Sequence, residues 1–393
     1  MRGFSYRYHL MKIGYDLRFA HFPGGGGVYT AQLLQELVRI HPESRWSIYY
    51  NRWSERQREI VRRLEEQQRA HPDNPALELL AVRAPMLSLR QHLEFLFCRP
   101  KVDLYHYPHF DLPVGLGAVP VVLTIHDLYP VLLEGYCSGA TRAYFYRLSK
   151  YNARRAARVI TVSENSKKDL IEYLGIAAEK IAVIHQGYSP VFRPIDDEKL
   201  LGEIRLRLKL PEKFILYTGN HKPHKNLARL LAGYAALPKR LTNEFALVLT
   251  GATSGQTDKL RAQAAALGVA GQVKFIGLVR EEDLPGLYNL AALVVLPSLY
   301  EGFGLPLVEA MACGTCVACS NTSALPEVVA EAGRRFDPCS EQEISWVLAA
   351  ALDNDVGNPA VRAAVRRRAA EFSWAKTAAK TYEVYRGVAG LQS

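Results

Sequence analysis

Residues 294–321 constrain this chain more than any other stretch; they read VVLPSLYEGFGLPLVEAMACGTCVACSN. A short apolar, β-branched run at 294–296 ends at Pro297, a glycine-bearing loop follows, and a helix-forming segment at 307–312 stops at Gly314. That order of strand, loop and helix is one half of a parallel βαβ unit, which needs further strands beside it to bury its apolar face. Pro306 suits a first helical turn, where a missing N–H costs nothing, and Gly302 and Gly304 let the backbone bend so that free amides at the helix start face outward. Glu301 and Glu309 bracket the loop with seven residues between them. A carboxylate beside a helix N-terminus can accept two hydrogen bonds from a vicinal diol, while the amides take negative charge.

The rest of the chain repeats this alternation. Strands are expected at 12–16, 46–50, 77–82, 102–107, 119–124, 158–162 and 181–184, with helices over 28–40, 54–70, from 88, over 138–157 and from a Ser163 cap. A proline-broken exit at 185–194 and a linker at 195–198 lead to a second series. Its strands are at 214–218, 245–250, 273–279, 292–296 and 335–337, and its helices at 227–237, 323–331, 341–352 and 372–388. Each series calls for a mostly parallel sheet covered on both faces, with ligands beyond the carboxyl ends of the strands. Gly24 to Gly27 follow the first strand as a glycine loop of the kind that cradles phosphate. His126 and Asp127 end an apolar strand, and Gly219-Asn-His-Lys222-Pro-His-Lys225 puts cations where a pyrophosphate would meet a helix start.

With 393 residues there is chain for two or three cores, and 22% charged against 49% hydrophobic residues is a globular composition. No apolar run reaches the ~20 residues of a spanning helix, and residues 1–10 have no secretory signal; they read as a short extension before the first strand, so a cytoplasmic protein is expected. Forty-nine basic against 39 acidic residues leave +10, concentrated in the first half, which favours nucleotide phosphates or an anionic membrane surface. Nucleic acid is not expected, for no zinc-finger, RRM or KH pattern is present. Cys313, Cys316 and Cys319 straddle a helix end and a strand with no fourth cysteine nearby, so they read as buried thiols and not as a cluster site. Asp353-Asn-Asp355 follows a helix and reads as a polar turn; no metal is implied.

The run from Glu301 to Glu309, followed by Ala-Met-Ala-Cys-Gly, resembles the paired-glutamate motif of the retaining family-4 glycosyltransferases of GT-B fold. The resemblance covers nearly the whole chain and is strongest over residues 214–327. It implies an α/β architecture of two Rossmann-like domains facing a cleft: residues 1–195 for the acceptor, 196–371 for the nucleotide sugar, and a helix at 372–393 crossing back to the first domain. It implies His126 and Glu301 as catalytic residues. Substrate-binding positions would be Gly25, Gly26, Gly27, Asp127, Gly219, Lys222, Lys225, Leu278, Val279, Gly302, Phe303, Gly304, Leu305 and Glu309. Within that set Glu309 would accept the ribose hydroxyls, Lys225 with Lys222 would offset the diphosphate, and the 278–279 turn would hold the base. Many members have an Arg directly after the glycine where this chain has Asn220, and Asn-Gly where it has Gln186-Gly187.

TIHDLYP, GNHKPHKN and LYEGFGLP together are most similar to bacterial mannosyltransferases of surface-polysaccharide assembly. GDP-mannose is therefore the expected donor, used without metal or other cofactor. The acceptor implied is a polyprenyl-diphosphate-linked saccharide at the inner face of the plasma membrane. A UDP-glucose-type hexosyltransferase, and a nucleotide-sugar epimerase or hydrolase on the same fold, stay open.

Overall fold

The computed structural model describes residues 11–390, apart from 23, 73, 75, 76, 98, 99, 134, 136, 253 and 254. The extension read at residues 1–10 lies outside them. Among the described residues, thirteen strands form two sheets. The first holds β1 (Lys12–Asp16), β2 (Arg45–Tyr50), β3 (Glu78–Ala81), β4 (Leu104–Tyr107), β5 (Val121–Thr124), β6 (Arg158–Thr161) and β7 (Ile181–Val183), in the order β3-β2-β1-β4-β5-β6-β7. The second holds β8 (Phe214–Tyr217), β9 (Ala246–Thr250), β10 (Val273–Gly277), β11 (Leu293–Leu296), β12 (Cys316–Ser320) and β13 (Arg334–Phe336), in the order β10-β9-β8-β11-β12-β13. Every ladder is parallel, so the helices pack on the faces; inner strands such as β4, β5, β8, β11 and β12 are buried along their whole length, while the edge strands β3 and β10 are partly exposed. In both sheets the order reverses beside the first strand of the series, between β1 and β4 and between β8 and β11, which is where open α/β sheets leave a crevice.

The final helix, Trp374–Val388, returns to the first sheet's helix Gly25–Ile40. Its Tyr385 hydroxyl reaches His106 Nδ1 on β4 at 2.5 Å, and the Tyr382 hydroxyl reaches Ser44 Oγ at 2.7 Å. The segments that leave the first half and return to it touch at Gly187, where a Cβ would lie 2.1 Å from the Trp374 nitrogen. Only glycine allows that approach, which is the reason for a glycine in the Gln186-Gly187 pair.

Several boundaries differ from the sequence reading. Gly25, Gly26 and Gly27 are not loop but the first turn of the helix Gly25–Ile40; Gly24, at φ 102°, is its cap. The linker read at 195–198 is irregular through Asp197, and its last residue, Glu198, starts the helix Glu198–Arg207, capped by Asp197 Oδ1 on the Leu200 amide at 3.0 Å. The expected helix over 323–331 is only Leu325–Val329 with a 3-10 turn after it, because Ser323 sits at φ 54° before it and Ala330 at φ 46° ends it. Asp353 falls inside the helix Glu341–Asn354 and pairs with Arg240, while Asp355 pairs with Arg334. Cys313 and Cys316 aim their sulfurs at different carbonyls, Pro285 and Asp355, and burial pushes the thiols of Cys313 and Cys319 up to about 12.

Candidate active site

The loops that follow β8 and β11 build one wall of the cleft. After β8, Gly219 (φ 148°) packs against Gly251, whose Cβ would lie 2.1 Å from the Gly219 carbonyl oxygen, so neither loop can carry a side chain there. A 3-10 turn, Pro223–Lys225, then swings Lys225 back, and Asn226 at φ 60° anchors it by donating to the carbonyls of Pro297 and Pro338 at 3.0 and 2.8 Å. Lys225 Nζ donates to Glu301 Oε1 at 2.6 Å, and Ser298 Oγ donates to the same oxygen at 2.7 Å. Both charged side chains are 15% exposed, so the pair is poorly screened yet reachable from the cleft. The Glu301 amide in turn donates to Ser323 Oγ at 3.0 Å. Lys222 does not join this pair; its ammonium lies 5.9 Å from the ring of Tyr129, across the cleft.

Gly304 (φ 110°) caps the helix Leu305–Ala312, with proline in its first turn as the sequence indicated. Glu309 lies on that helix, one oxygen accepting from the Tyr288 hydroxyl at 2.9 Å, which itself bonds Thr218 Oγ1 at 3.0 Å. Burial pushes the Glu309 carboxyl up to about 7, Glu281 adds to the rise, and the Tyr288 hydrogen bond opposes it. The Phe303 side chain turns inward between His185 and Phe372, at 5.9 and 5.5 Å between ring centres, so of this residue only the backbone can meet a ligand. Leu278 is largely exposed beside Gly277 (φ 72°), whose carbonyl accepts from the Gly251 amide at 2.8 Å; the 277–279 turn thus adjoins the Gly219 loop.

The opposite wall comes from the carboxyl ends of β1, β4 and β5. His126 packs edge-on against Tyr29 at 4.8 Å and beside Phe19 at 6.3 Å. Both its ring nitrogens are buried and lack a hydrogen-bond partner among the described residues. Burial, with His109 nearby, drops it to about 4, so it is a neutral imidazole at physiological pH. Burial lifts the Asp127 carboxyl to about 6; the Tyr129 amide opposes that rise and Glu301 adds to it. The walls meet at Gly302, where a Cβ would come within 2.8 Å of the His126 carbonyl and 2.9 Å of Asp127 Oδ2. Gly26 and Gly27 are demanded by packing, since their Cβ atoms would fall 2.4 Å from Phe19 Cε1 and 2.0 Å from the Phe22 carbonyl oxygen. Gly25 has open space around its Cβ position.

Several groups escaped the sequence reading. Tyr288, Thr218, Ser298 and Ser323 orient the two glutamates from four different loops or elements. Behind the opposite wall, at the end of β1, Asp16 and Arg18 form a fully buried ion pair, with Tyr105 Oη donating to Asp16 at 2.8 Å and Arg18 over the Phe95 ring at 5.0 Å. Gln91 links Arg18 to Asp111, which holds His109 beside Phe19. Glu327 bridges the halves, accepting from the Glu164 amide at 2.9 Å and pairing with His185 Nε2 at 2.6 Å. A charged pair two residues apart at the end of β1 was a legible hint of the Asp16–Arg18 unit; the rest had no local signature.

Two parallel-sheet halves with a glutamate pair, a lysine and a helix N-terminus at their shared cleft define a GT-B glycosyltransferase. The comparisons agree. The profile of "Glycosyltransferase Family 4" matches residues 23–191 and that of "Glycosyl transferases group 1" residues 203–372. O-antigen chain mannosyltransferase B of Escherichia coli is 30% identical over 311 residues, 79% of each chain. The MMP alpha-(1->4)-mannosyltransferase of Mycolicibacterium hassiacum is 34% identical over 290 residues, covering 70% of this chain and 67% of that one. Against the E. coli serotype-specific mannosyltransferase WbdA the chain is 32% identical but spans only 34% of that protein's length. Among solved structures, Anabaena HepE in complex with UDP and glucose superposes with a TM-score of 0.74 at 20% identity, covering 96% of this chain and all of that one. The chain belongs to the group 1/family 4 glycosyltransferases.

Proposed function

We propose that this protein transfers mannose from GDP-mannose to a lipid-linked saccharide, with retention of configuration, during assembly of a bacterial surface polysaccharide. The observation that carries the reading is the convergence of Glu301, Lys225, Glu309 and the Gly302–Leu305 turn on one wall, with His126 and Asp127 facing them at Gly302. The mannosyltransferase names among the relatives support the sugar.

Glu309, once ionised, accepts the two ribose hydroxyls. Lys225 moves from Glu301 to the diphosphate, where its ammonium and the helix amides offset the charge that grows as the glycosidic bond breaks. Glu301, released, takes donor-sugar hydroxyls. The sugar's C1 loses its bond to the diphosphate oxygen and gains one to the acceptor oxygen on the same face, and the acceptor proton passes to the leaving diphosphate. No protein nucleophile is needed. His126, a neutral and buried ring, donates or accepts one hydrogen bond at the sugar and holds it against the acceptor. Among the described residues no helix is long and apolar enough to cross a membrane, so on this reading the protein meets its lipid-linked acceptor as a peripheral protein on the cytoplasmic leaflet.

The test is titration calorimetry with GDP and with UDP in EDTA, followed by a transfer assay with GDP-mannose. Metal-independent GDP binding with transfer supports the reading. Preference for UDP overturns the donor, and donor consumption without an acceptor overturns the transferase chemistry.

A further inference from the structure

The helix Leu89–Phe97 is amphipathic the wrong way round for a surface helix. Its buried face carries Gln91 and Phe95, whereas Leu89, Leu93, Leu96 and Phe97 point into water, Leu89 being 83% and Phe97 86% exposed. Those four positions follow the i, i+4, i+7, i+8 spacing of a single stripe. Leu87, just ahead, is also exposed and is held at φ 58° by its amide donating to Asp111 Oδ2 at 3.0 Å. The helix's one acid, Glu94, faces back into the chain, accepting from the Arg83 and Ala84 amides at 2.9 and 2.7 Å. Arg83, Arg90 and Lys101, on and around the helix, are exposed.

On the same face of the first sheet lies the helix Gly139–Arg155, whose Ala153 shares a buried apolar cluster with Phe95. It carries Arg142, Arg147, Lys150, Arg154 and Arg155 and no acid, with Tyr144 and Tyr151 half exposed. An outward apolar stripe and, on the same face of the sheet, an acid-free cationic helix with surface tyrosines are complementary to an anionic phospholipid surface, which takes apolar side chains below its headgroups and cations among its phosphates.

We infer that this face of the first sheet docks on anionic membrane through Leu89, Leu93, Leu96 and Phe97, with the Gly139–Arg155 cations over the headgroups. The inference rests on the reading of the acceptor as lipid-linked. Both helices start at the carboxyl edge of the sheet, where His126 lies, and run away from it, so the bilayer lies along the face whose upper edge is the cleft rim. A saccharide on a membrane lipid then reaches the site while its lipid stays in the membrane.

The experiment is co-sedimentation of the whole protein with phosphatidylcholine vesicles, with and without phosphatidylglycerol, comparing wild type, L93E/F97E and R147Q/R154Q. The wild type binds only the anionic vesicles. L93E/F97E lowers the partition coefficient on the order of 30-fold, from apolar area left in water, and each neutralised arginine lowers it about fivefold. Since Leu93 and Phe97 already face water, the thermal midpoint does not change, and L89S/F97S repeats the test without adding charge. Wild type that ignores anionic vesicles, or L93E/F97E that binds like wild type, overturns the inference. So does a wild-type dimer that L93E/F97E splits, for the stripe would then belong to a second copy. Transfer to a water-soluble acceptor without vesicle binding refutes docking and leaves the enzymatic reading standing; vesicle binding through this stripe without any transfer does the reverse.

Discussion

Replacing Glu309 by Gln should make the protein more stable and less able to bind nucleotide. The folded carboxyl sits near 7 against an ordinary 4.5, chiefly because it is buried. Below pH 4.5 both folded and unfolded states carry the proton, and the group contributes nothing. Between 4.5 and 7 the unfolded chain ionises while the folded one holds its proton, so each step up in pH favours unfolding; above about pH 8 the cost is complete. A rise of this size amounts to about 3 kcal/mol at most, at 1.36 kcal/mol per pH unit. Glutamine keeps an acceptor for the Tyr288 hydroxyl and cannot ionise, so E309Q escapes the cost. At roughly 2–4 °C per kcal/mol for a domain of this kind, its midpoint should exceed wild type by several degrees at pH 8 and match it at pH 4.5.

Ligand binding runs the other way, since only the carboxylate can accept both hydroxyls of a ribose diol. Wild-type affinity for GDP should rise close to tenfold from pH 6 to pH 8 as the ionised fraction grows from about a tenth to about nine tenths. E309Q should bind weakly with no such slope. Differential scanning fluorimetry and calorimetric titration across pH measure both. An E309Q protein no more stable than wild type at pH 8, or one whose GDP affinity keeps the wild-type slope, would refute the assignment of both the shift and the role.

Three other outcomes are expected. Lys225→Ala should weaken GDP binding by about 10- to 100-fold, the worth of a charge-assisted contact to phosphate; unchanged affinity by calorimetry would remove Lys225 from the nucleotide site. Gly27→Ala should cost about 1–3 kcal/mol by forcing a methyl group onto the Phe22 carbonyl, whereas Gly25→Ala, with open space around it, should be neutral or stabilise by up to ~1 kcal/mol; denaturant midpoints compare the two, and equal effects would contradict the helix start described above. Asp16→Asn should destabilise by about 3–5 kcal/mol because Arg18 would stay buried without its counter-charge; a loss under about 1 kcal/mol in urea unfolding would mean the guanidinium finds another partner.

The class of fold was legible because its signals are local. Apolar β-branched runs alternating with helical stretches can bury themselves only as parallel sheets covered on both faces, and glycine or proline at each turn marked where strands end. The motif from Glu301 to Glu309 carried the family because its residues are neighbours in the chain. What sequence did not determine is what lies opposite each residue. The glycines after β1 read as a loop, yet Gly25 to Gly27 begin a helix, and Phe19 and Phe22 fold back on Gly26 and Gly27 and leave no room there for side chains. Lys225 and Glu301 were legible separately, but their pairing depends on Asn226 tying two loops together across 71 residues of chain. The raised carboxyl of Glu309 and the lowered imidazole of His126 come from burial by elements far away in sequence, and only the packed structure sets burial. The leucine stripe at 89–97 looks in sequence like any core-facing helix side. The buried Gln91 and Phe95 show that this stripe faces out, a distinction that periodicity cannot make because it records which residues share a face and not where the face points.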